Sequence, residues 1–173
     1  MKNLFFVFFL IMSLHGKAQC VLSFNKPTVE GNKFRVTLQM SSGIPFSLGP
    51  NNLRFNYSTE NLDNPVIISD NFPNDAFGET TLLGSNRQTG IVSVNTAYHG
   101  KTGAEGLPIT KNGTELVTLE FDIVKFSESI QLNWRIDKLP RTALVSDDRI
   151  IVSVSEAKPL VTELLKNEME KKL

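Results

Sequence analysis

The sequence has little cysteine and no excess of charge of either sign. One cysteine among 173 residues excludes an intramolecular disulfide framework and a zinc site built from several cysteines. The 18 Lys and Arg residues are balanced by 18 Asp and Glu residues. Because no basic excess is available to neutralise phosphates, the composition predicts no nucleic-acid partner.

Long apolar runs are also missing, except at the N-terminus. Lys2 is followed by the apolar run 4–14 and then by the small residues Gly16 and Ala18. This order is typical of a secretory signal peptide and is shorter than the roughly 20 apolar residues of a membrane-spanning helix. We predict a signal peptide over 1–18, cleavage near Ala18, no transmembrane segment, and a mature protein that is secreted, at the cell surface or in the periplasm.

Cys20 directly follows the predicted cleavage site, which raises the alternative of a lipoprotein with an acylated cysteine. Lipoprotein processing favours a small residue before the cysteine, whereas Gln19 stands there. The sequence therefore argues against a lipid anchor at Cys20 and favours a single thiol in the first strand.

The region 19–156 consists of short runs in which apolar and polar residues alternate. Loops rich in Gly, Pro, Asn and Asp separate these runs, and we place loops at 42–50, 70–78, 84–90 and 100–113. Alternation with a period of two is typical of antiparallel strands that bury one face. We predict an all-β domain over 19–156, an antiparallel jelly-roll sandwich of about nine strands. The strand predictions are 33–40, 53–57, 65–69, 91–98, 112–124, 129–137 and 149–155.

The segment 157–173 differs in character from the preceding strands. Pro159 suits the first turn of a helix, and Lys171 and Lys172 suit a helix C-terminus. We predict a short C-terminal amphipathic helix that lies on the sandwich. A partner-binding or coiled-coil helix is the alternative, although the segment offers only about two heptads.

Two core patterns of this chain resemble those of a known superfamily. Phe55-Asn56-Tyr57 precedes Leu62, and Gly113 precedes Leu119-Glu120-Phe121. The order of these pieces resembles the cohesin-like and cellulose-binding-type β-sandwich superfamily, which includes cohesins and carbohydrate-binding module families 2 and 3. The resemblance implies a binding module, and since fold alone does not determine function, it leaves the ligand open.

No candidate for catalysis emerges from the motifs. His99 is the one histidine after the predicted signal peptide, and no G-x-S-x-G motif or comparable nucleophile accompanies it. Tyr57, Tyr98 and Trp134 fall in the apolar phase of their strands, which argues against an exposed aromatic platform for sugar rings. We predict that the protein is not an enzyme and needs no cofactor.

Structural calcium is the one metal that the loop composition makes conceivable. Asp70 and Asp75 are the first candidates for ligands, because calcium takes six to eight oxygens from such loops. Asp and Asn also form turns for local reasons, which is the simpler interpretation.

We predict an exported, non-catalytic binding or adhesion module that recognises an extracellular polysaccharide. The alternatives are a cohesin-style protein–protein interaction module and a self-assembling structural subunit of a surface complex. Loops on a rigid scaffold carry much of recognition, so His99 is included with polar strand residues. The predicted ligand-binding residues are Arg54, Asn56, Asn95, His99, Gln131, Asn133 and Arg135.

Overall fold

The structure is a computed structural model, and it describes residues 19–83, 85, 87–100, 105–125, 129–139 and 141–162. These residues form β-strands, turns and loops, which confirms the predicted all-β class. The strands are β1 (Gln19–Glu30), β2 (Lys33–Ser41), β3 (Phe46–Tyr57), β4 (Leu62–Asp70), β5 (Phe77–Leu82), β6 (Ile91–Tyr98), β7 (Leu107–Ile109), β8 (Thr114–Ile123), β9 (Ile130–Trp134), β10 (Ala143–Ser146), β11 (Ser153–Ala157) and β12 (Leu160–Thr162).

Two sheets pack face to face as a sandwich. The first sheet has the order β11-β1-β2-β8-β4 and the second has the order β12-β9-β3-β6-β5, with β7 and β10 also paired to β3. The described pairs are antiparallel as predicted, except that β1 runs parallel to β11. The described residues thus contain more strands than the predicted number of about nine.

The core lies between the sheets and follows the predicted alternation. Phe34 pairs with Phe121, and Val36 pairs with Leu119; all four side chains are fully buried. Leu116 is also fully buried, against the alternation, because the register of β2 with β8 shifts near Leu38. A β-bulge adds one residue to a strand and turns the next side chain.

Three stretches predicted as loops contain strand residues, and in the predicted loop 70–78 these are Asp70 of β4 with Phe77 and Gly78 of β5. Residues 46–50 begin β3, and 107–109 form β7, which pairs with the start of β3. Gly49 suggested a turn, but its role here is close packing: a Cβ atom would lie 2.8 Å from the carbonyl oxygen of Ser146 in β10. Glycine inside a strand often marks such a close approach of another backbone.

The predicted C-terminal helix is wrong for Leu160–Thr162, which form β12. This strand pairs with β9 through Leu160 and Leu132, Val161 and Gln131, and Thr162 and Ile130. The backbone groups along the edge of β9 offer hydrogen bonds that outweigh the helical pattern of a short segment. The rest of the predicted helix, 163–173, lies outside the described residues, as does the predicted signal peptide.

In the described ranges, no helix has the length and apolar character needed to cross a bilayer.

Candidate binding face

Six of the predicted ligand-binding residues lie on one outer face of the second sheet. In β3, Leu53 and Phe55 are fully buried, so Arg54 and Asn56 point to the opposite side. We call this surface the second-sheet face and define it by Asn52, Arg54, Asn56, Ser93, Asn95, Gln131, Asn133 and Arg135.

The strand register brings these side chains next to one another. Arg54 lies opposite Ser93 and Asn52 lies opposite Asn95, because β3 pairs with β6. On the other flank, β3 pairs with β9 and Asn56 lies opposite Asn133. Polar residues that are distant in sequence therefore form one continuous patch.

A chain of hydrogen bonds runs across the patch. Arg54 Nε donates to Ser93 Oγ at 3.0 Å, and Ser93 Oγ donates to Asn52 Oδ1 at 3.0 Å. Asn52 Nδ2 then donates to Asn95 Oδ1 at 3.3 Å. Such a network fixes side-chain orientations before any ligand arrives, which lowers the entropy cost of binding.

The second arginine is held in a similar way. Arg135 Nη1 donates to Asn56 Oδ1 at 2.9 Å, and its Nη2 donates to the Leu139 carbonyl at 2.6 Å. Thr142 binds the backbone of β3 at the same position. Its Oγ1 accepts from the Arg54 N–H at 2.9 Å and donates to the Arg54 carbonyl at 3.0 Å. Residues 135–139 and 141–142 are therefore anchored to the middle of β3.

A shallow groove of about 320 Å³ adjoins this network. Its walls include Pro50 and the amide pair Asn52 and Asn95, together with Ala97 and Val145. Amide and methyl groups can bind a ligand by hydrogen bonds and contact. The described lining contains no carboxylate pair of the kind that glycoside hydrolysis requires.

His99 stands apart from the other predicted residues. It follows β6, its side chain is exposed, and its backbone N–H donates to the Ala76 carbonyl at 3.0 Å. The structure thus places His99 at the loop end of the sheet, outside the hydrogen-bonded network.

The three amphipathic aromatic rings pack toward the core, as their phase predicts: Tyr57 is buried, Trp134 and Tyr98 are half-buried, and Tyr98 also lines the groove. Trp134 stacks on Phe24 with ring centroids 4.6 Å apart and meets the edge of Phe55 at 5.7 Å. Tyr57 contacts Phe121 at 5.5 Å, and burial, followed by the negative charge of Asp63, raises the Tyr57 pKa. Among the described residues, the exposed large hydrophobic side chains are all aliphatic.

The predicted calcium candidates lie at the end of β4, where Asp70 stands, and in the following loop, where Asp75 stands. Asp70 Oδ1 accepts the Phe72 backbone N–H at 3.2 Å, which is a local turn contact, and Asp75 is an exposed loop residue. No group of three His, Cys, Asp or Glu side chains able to hold a metal occurs within the described ranges. The calcium hypothesis stays a prediction.

Cys20 is fully buried in β1. Burial raises the pKa of its thiol to about 12, and Ser155 Oγ donates to the Cys20 carbonyl at 3.0 Å. An acyl chain on this sulfur would have to displace core side chains.

The outer face of the first sheet offers a contrasting arrangement. We call it the first-sheet face, and its charged members are Glu30, Lys33, Arg35, Asp63, Glu115, Glu120 and Asp122. Lys33 Nζ lies 2.6 Å from Asp122 Oδ1, and Arg35 contacts Glu120 at 2.7 Å and Glu30 at 2.9 Å. Hydrogen bonds from Arg35 and then Lys33 lower the pKa of Glu120, and a hydrogen bond from Lys33 lowers that of Asp122.

Sequence reasoning missed three members of the second-sheet network: Asn52, Ser93 and Thr142. Asn52 shares the phase of Arg54, and Ser93 shares the phase of Asn95. The alternation would therefore have allowed both to be predicted as members of the outer face. Thr142 lies between strands, and no local pattern marks it.

Comparison with known proteins relates this architecture to cohesins. Neither a known protein family nor a curated protein matches the sequence. A solved cohesin module from a family 33 glycoside hydrolase of Clostridium perfringens is 16% identical, with a TM-score of 0.54 over 85% of this chain and 96% of that one. A type II cohesin domain from the cellulosome of Acetivibrio cellulolyticus is 16% identical, with a TM-score of 0.54 over 86% and 96%.

A third similar structure is a cohesin–dockerin complex. This type I complex from Clostridium thermocellum is matched at 11% identity, with a TM-score of 0.56 over 84% of this chain and 98% of the matched one. At such identities the likeness shows the fold alone. The chain thus has a cohesin-like β-sandwich, as its core patterns suggested.

Proposed function

We propose that this chain is an exported, non-catalytic module that binds another protein through its second-sheet face. The observation that carries the proposal is the continuous, hydrogen-bonded polar network on one face of a cohesin-like sandwich. The complex from Clostridium thermocellum gives a precedent, in which a cohesin is bound to a dockerin. We therefore favour a folded protein partner over the polysaccharide that the sequence first suggested.

The face covers three neighbouring strands of unequal length. The strands β9, β3 and β6 have 5, 12 and 8 residues. At roughly 3.4 Å per residue and about 4.8 Å between strands, they cover about 400 Å². This is about half of the approximately 800 Å² that each partner buries in a standard protein interface, so we expect a protein partner to contact the neighbouring loops as well.

The chemistry of the face also fits a protein partner. Amide groups of Asn56, Asn95 and Asn133 can donate to and accept from peptide groups or polar side chains. Planar sugar faces instead stack on aromatic rings, and Trp134 and Tyr57 pack against other rings toward the core. Tyr98 contacts Phe77 and is half-buried beside the groove. The polysaccharide ligand stays a prediction.

The proposal assigns no catalytic role to the face. Its members are amides, arginines and a serine whose Oγ is engaged by Arg54 and Asn52. General acid–base chemistry would require a group within hydrogen-bond reach that titrates near the working pH.

A labelling experiment tests the face directly. Cys20 is buried, so a second cysteine would be the accessible thiol for a bulky polyethylene glycol maleimide. Asn133→Cys places the label on the second-sheet face, and Thr28→Cys places it on the first sheet opposite Arg35 as the matched control. Both side chains are exposed.

The labelled proteins are then used to capture a partner from the extracellular proteins of the source organism. We expect the label at position 133 to weaken capture by about tenfold or more, since it sterically blocks the face. The label at position 28 should leave capture unchanged. Equal capture by both labelled proteins would contradict the proposed face.

A further inference from the structure

We propose that the groove between β4 and β5 binds an extended basic peptide, which adds a strand to the free edge of β5. This inference goes beyond the proposed function, because it places a second partner at the edge of the sandwich rather than on the second-sheet face.

The strands β4 and β5 end the two sheets on the same side of the sandwich. β4 pairs with β8 and β5 pairs with β6, and neither strand has a second strand neighbour among the described residues. A groove of about 820 Å³ lies between them. This volume is within the range of roughly 300–1,000 Å³ that is usual for ligand-binding pockets.

The groove follows the edge of β5 rather than one of its faces. Side chains alternate between the two faces of a strand, yet every residue of Phe77–Leu82 lines the groove. Alternate residues of an edge strand turn their backbone N–H and C=O groups away from the sheet. These groups are therefore available along the groove for pairing with an extended chain.

β5 is a better template for such pairing than β4. Pro65 lies within β4 and has no N–H to donate, and the register of β4 with β8 shifts twice. Both features protect the edge of a sheet. β5 contains no proline, and its residues Thr80, Thr81 and Leu82 pair with β6 in regular register.

The groove offers apolar contacts to a bound strand. Phe77 is buried, Ile67 and Leu82 are half-buried and pack against the core, and Val66 is 37% exposed. A bound strand would place every second side chain against these residues, so apolar residues at alternate positions favour binding. The six residues of β5 span about 20 Å at roughly 3.4 Å per residue, which sets the length of the bound segment.

The charged side chains that line the groove are both acidic. They are Asp70 and Glu79, and both are exposed. Asp70 Oδ1 accepts the Phe72 backbone N–H, and neither carboxylate joins a salt bridge in the part of the chain that the structure describes. Basic side chains of a peptide are therefore attracted to the groove and acidic ones are repelled.

The same charges argue against a second copy of this chain as the occupant. Antiparallel pairing of two β5 strands over their whole length would bring the two Glu79 side chains close to the twofold axis and to each other. Like charges on neighbouring strands destabilise a sheet. We therefore infer a partner other than the chain itself.

The test uses a fluorescein-labelled peptide of seven residues in which lysine and valine alternate, and the full chain as the protein. Fluorescence anisotropy at low salt measures the affinity. We expect the peptide with proline in place of its central valine to bind at least about tenfold more weakly, because proline lacks the N–H that pairing requires. Replacement of each lysine by glutamate should also weaken binding.

Two double variants of the protein test the carboxylates. Asp70→Asn with Glu79→Gln should weaken peptide binding by about fivefold, and Asp70→Asn keeps an oxygen that can accept the Phe72 N–H. Glu60→Gln with Asp75→Asn is the matched control, since it removes two exposed acids that do not line the groove. The control should bind like wild type, and equal weakening by both double variants would contradict a role of the groove.

Hydrogen–deuterium exchange locates the bound peptide without any variant. We expect the backbone N–H groups of β5 to exchange more slowly in the presence of the peptide, while those of β12, at the opposite end of the same sheet, keep their rate. No measurable binding, or protection of β12 or β3 instead of β5, would overturn the inference. A dimer of the chain that the peptide dissociates would also overturn it, because a second copy would then be the occupant.

Discussion

The two outer faces of the sandwich differ in the partners of their charged side chains. On the first-sheet face, Lys33 and Arg35 lie opposite acids across the strands, and each cation contacts Glu120. On the second-sheet face, Arg54 lies opposite Arg135 and is held by uncharged oxygens. On the first-sheet face Lys33 and Arg35 are both in salt bridges, whereas the hydrogen bonds of Arg54 on the second-sheet face go to uncharged oxygens.

This contrast shows why polar residues alone do not identify a binding face. Both faces alternate polar and apolar residues in the same manner, and both are crossed by hydrogen bonds. Cross-strand register contributes to the difference, because Lys33 lies opposite Asp122 and Arg35 opposite Glu120 in the first sheet, where Asp63 also lies opposite Asp122. A face whose charges are already paired gains little from binding, since a partner would have to replace existing contacts.

The largest effect on stability should come from removing the core aromatic ring that lies under the second-sheet face. Phe55 lies between Arg54 and Asn56 and packs against Phe24 at 5.1 Å and Trp134 at 5.7 Å. Phe55→Ala should cost about 3–5 kcal/mol of unfolding free energy, because it leaves a cavity in the core. Urea unfolding measures this loss. Val161→Ala, at a 61% exposed position, should change it by less than about 0.5 kcal/mol.

A second change would break the hydrogen-bond chain of the second-sheet face. Arg54→Glu replaces the Nε donor to Ser93 Oγ by a carboxylate, so the side chains of this face lose part of their fixed orientation. We expect capture of the protein partner to weaken by more than about tenfold while the chain keeps its fold. A pull-down and circular dichroism measure the two properties, and undiminished capture would show that the partner does not bind this face.

The reverse experiment removes a shared acid from the first-sheet face. Glu120→Gln leaves Lys33 and Arg35 without their common partner, so the thermal midpoint should fall. Binding through the second-sheet face should stay unchanged. Glu156→Gln is the control, because Glu156 is 58% exposed and its contact with Lys158 is 3.8 Å long. An equal response of both variants would mean that the first-sheet network adds no stability.

The smallest expected effect is a dependence of stability on pH that belongs to the first-sheet face. Hydrogen bonds lower the pKa of Glu120 below its ordinary 4.5 and that of Asp122 below 3.8. A lowered pKa gives stability that is present above the ordinary value and is lost as pH falls through the folded-state value. Thermal melts between neutral pH and pH 3 should therefore show a decline that Glu120→Gln makes shallower and Arg54→Gln does not.

Much of this architecture follows from the sequence, because alternation reports directly on burial. The alternation of apolar and polar residues correctly assigns the inward residues of β2 and β6. It also predicts that Arg54, Asn56 and Asn133 point away from the core. It misses Leu116, because a bulge shifts the phase, and β12, because a sheet edge decides its conformation. Contacts that depend on pairing between distant strands, such as Arg54 beside Arg135, leave no local trace in the sequence.

We expect the second-sheet face, and not the first-sheet face, to bind the partner. Arginine side chains report on this directly, since each Nε–H group gives its own signal in a ¹H–¹⁵N nuclear magnetic resonance spectrum. On addition of the captured partner, we predict that the signals of Arg54 and Arg135 shift while that of Arg35 keeps its position. A shift of Arg35 with Arg54 and Arg135 unmoved would contradict the account.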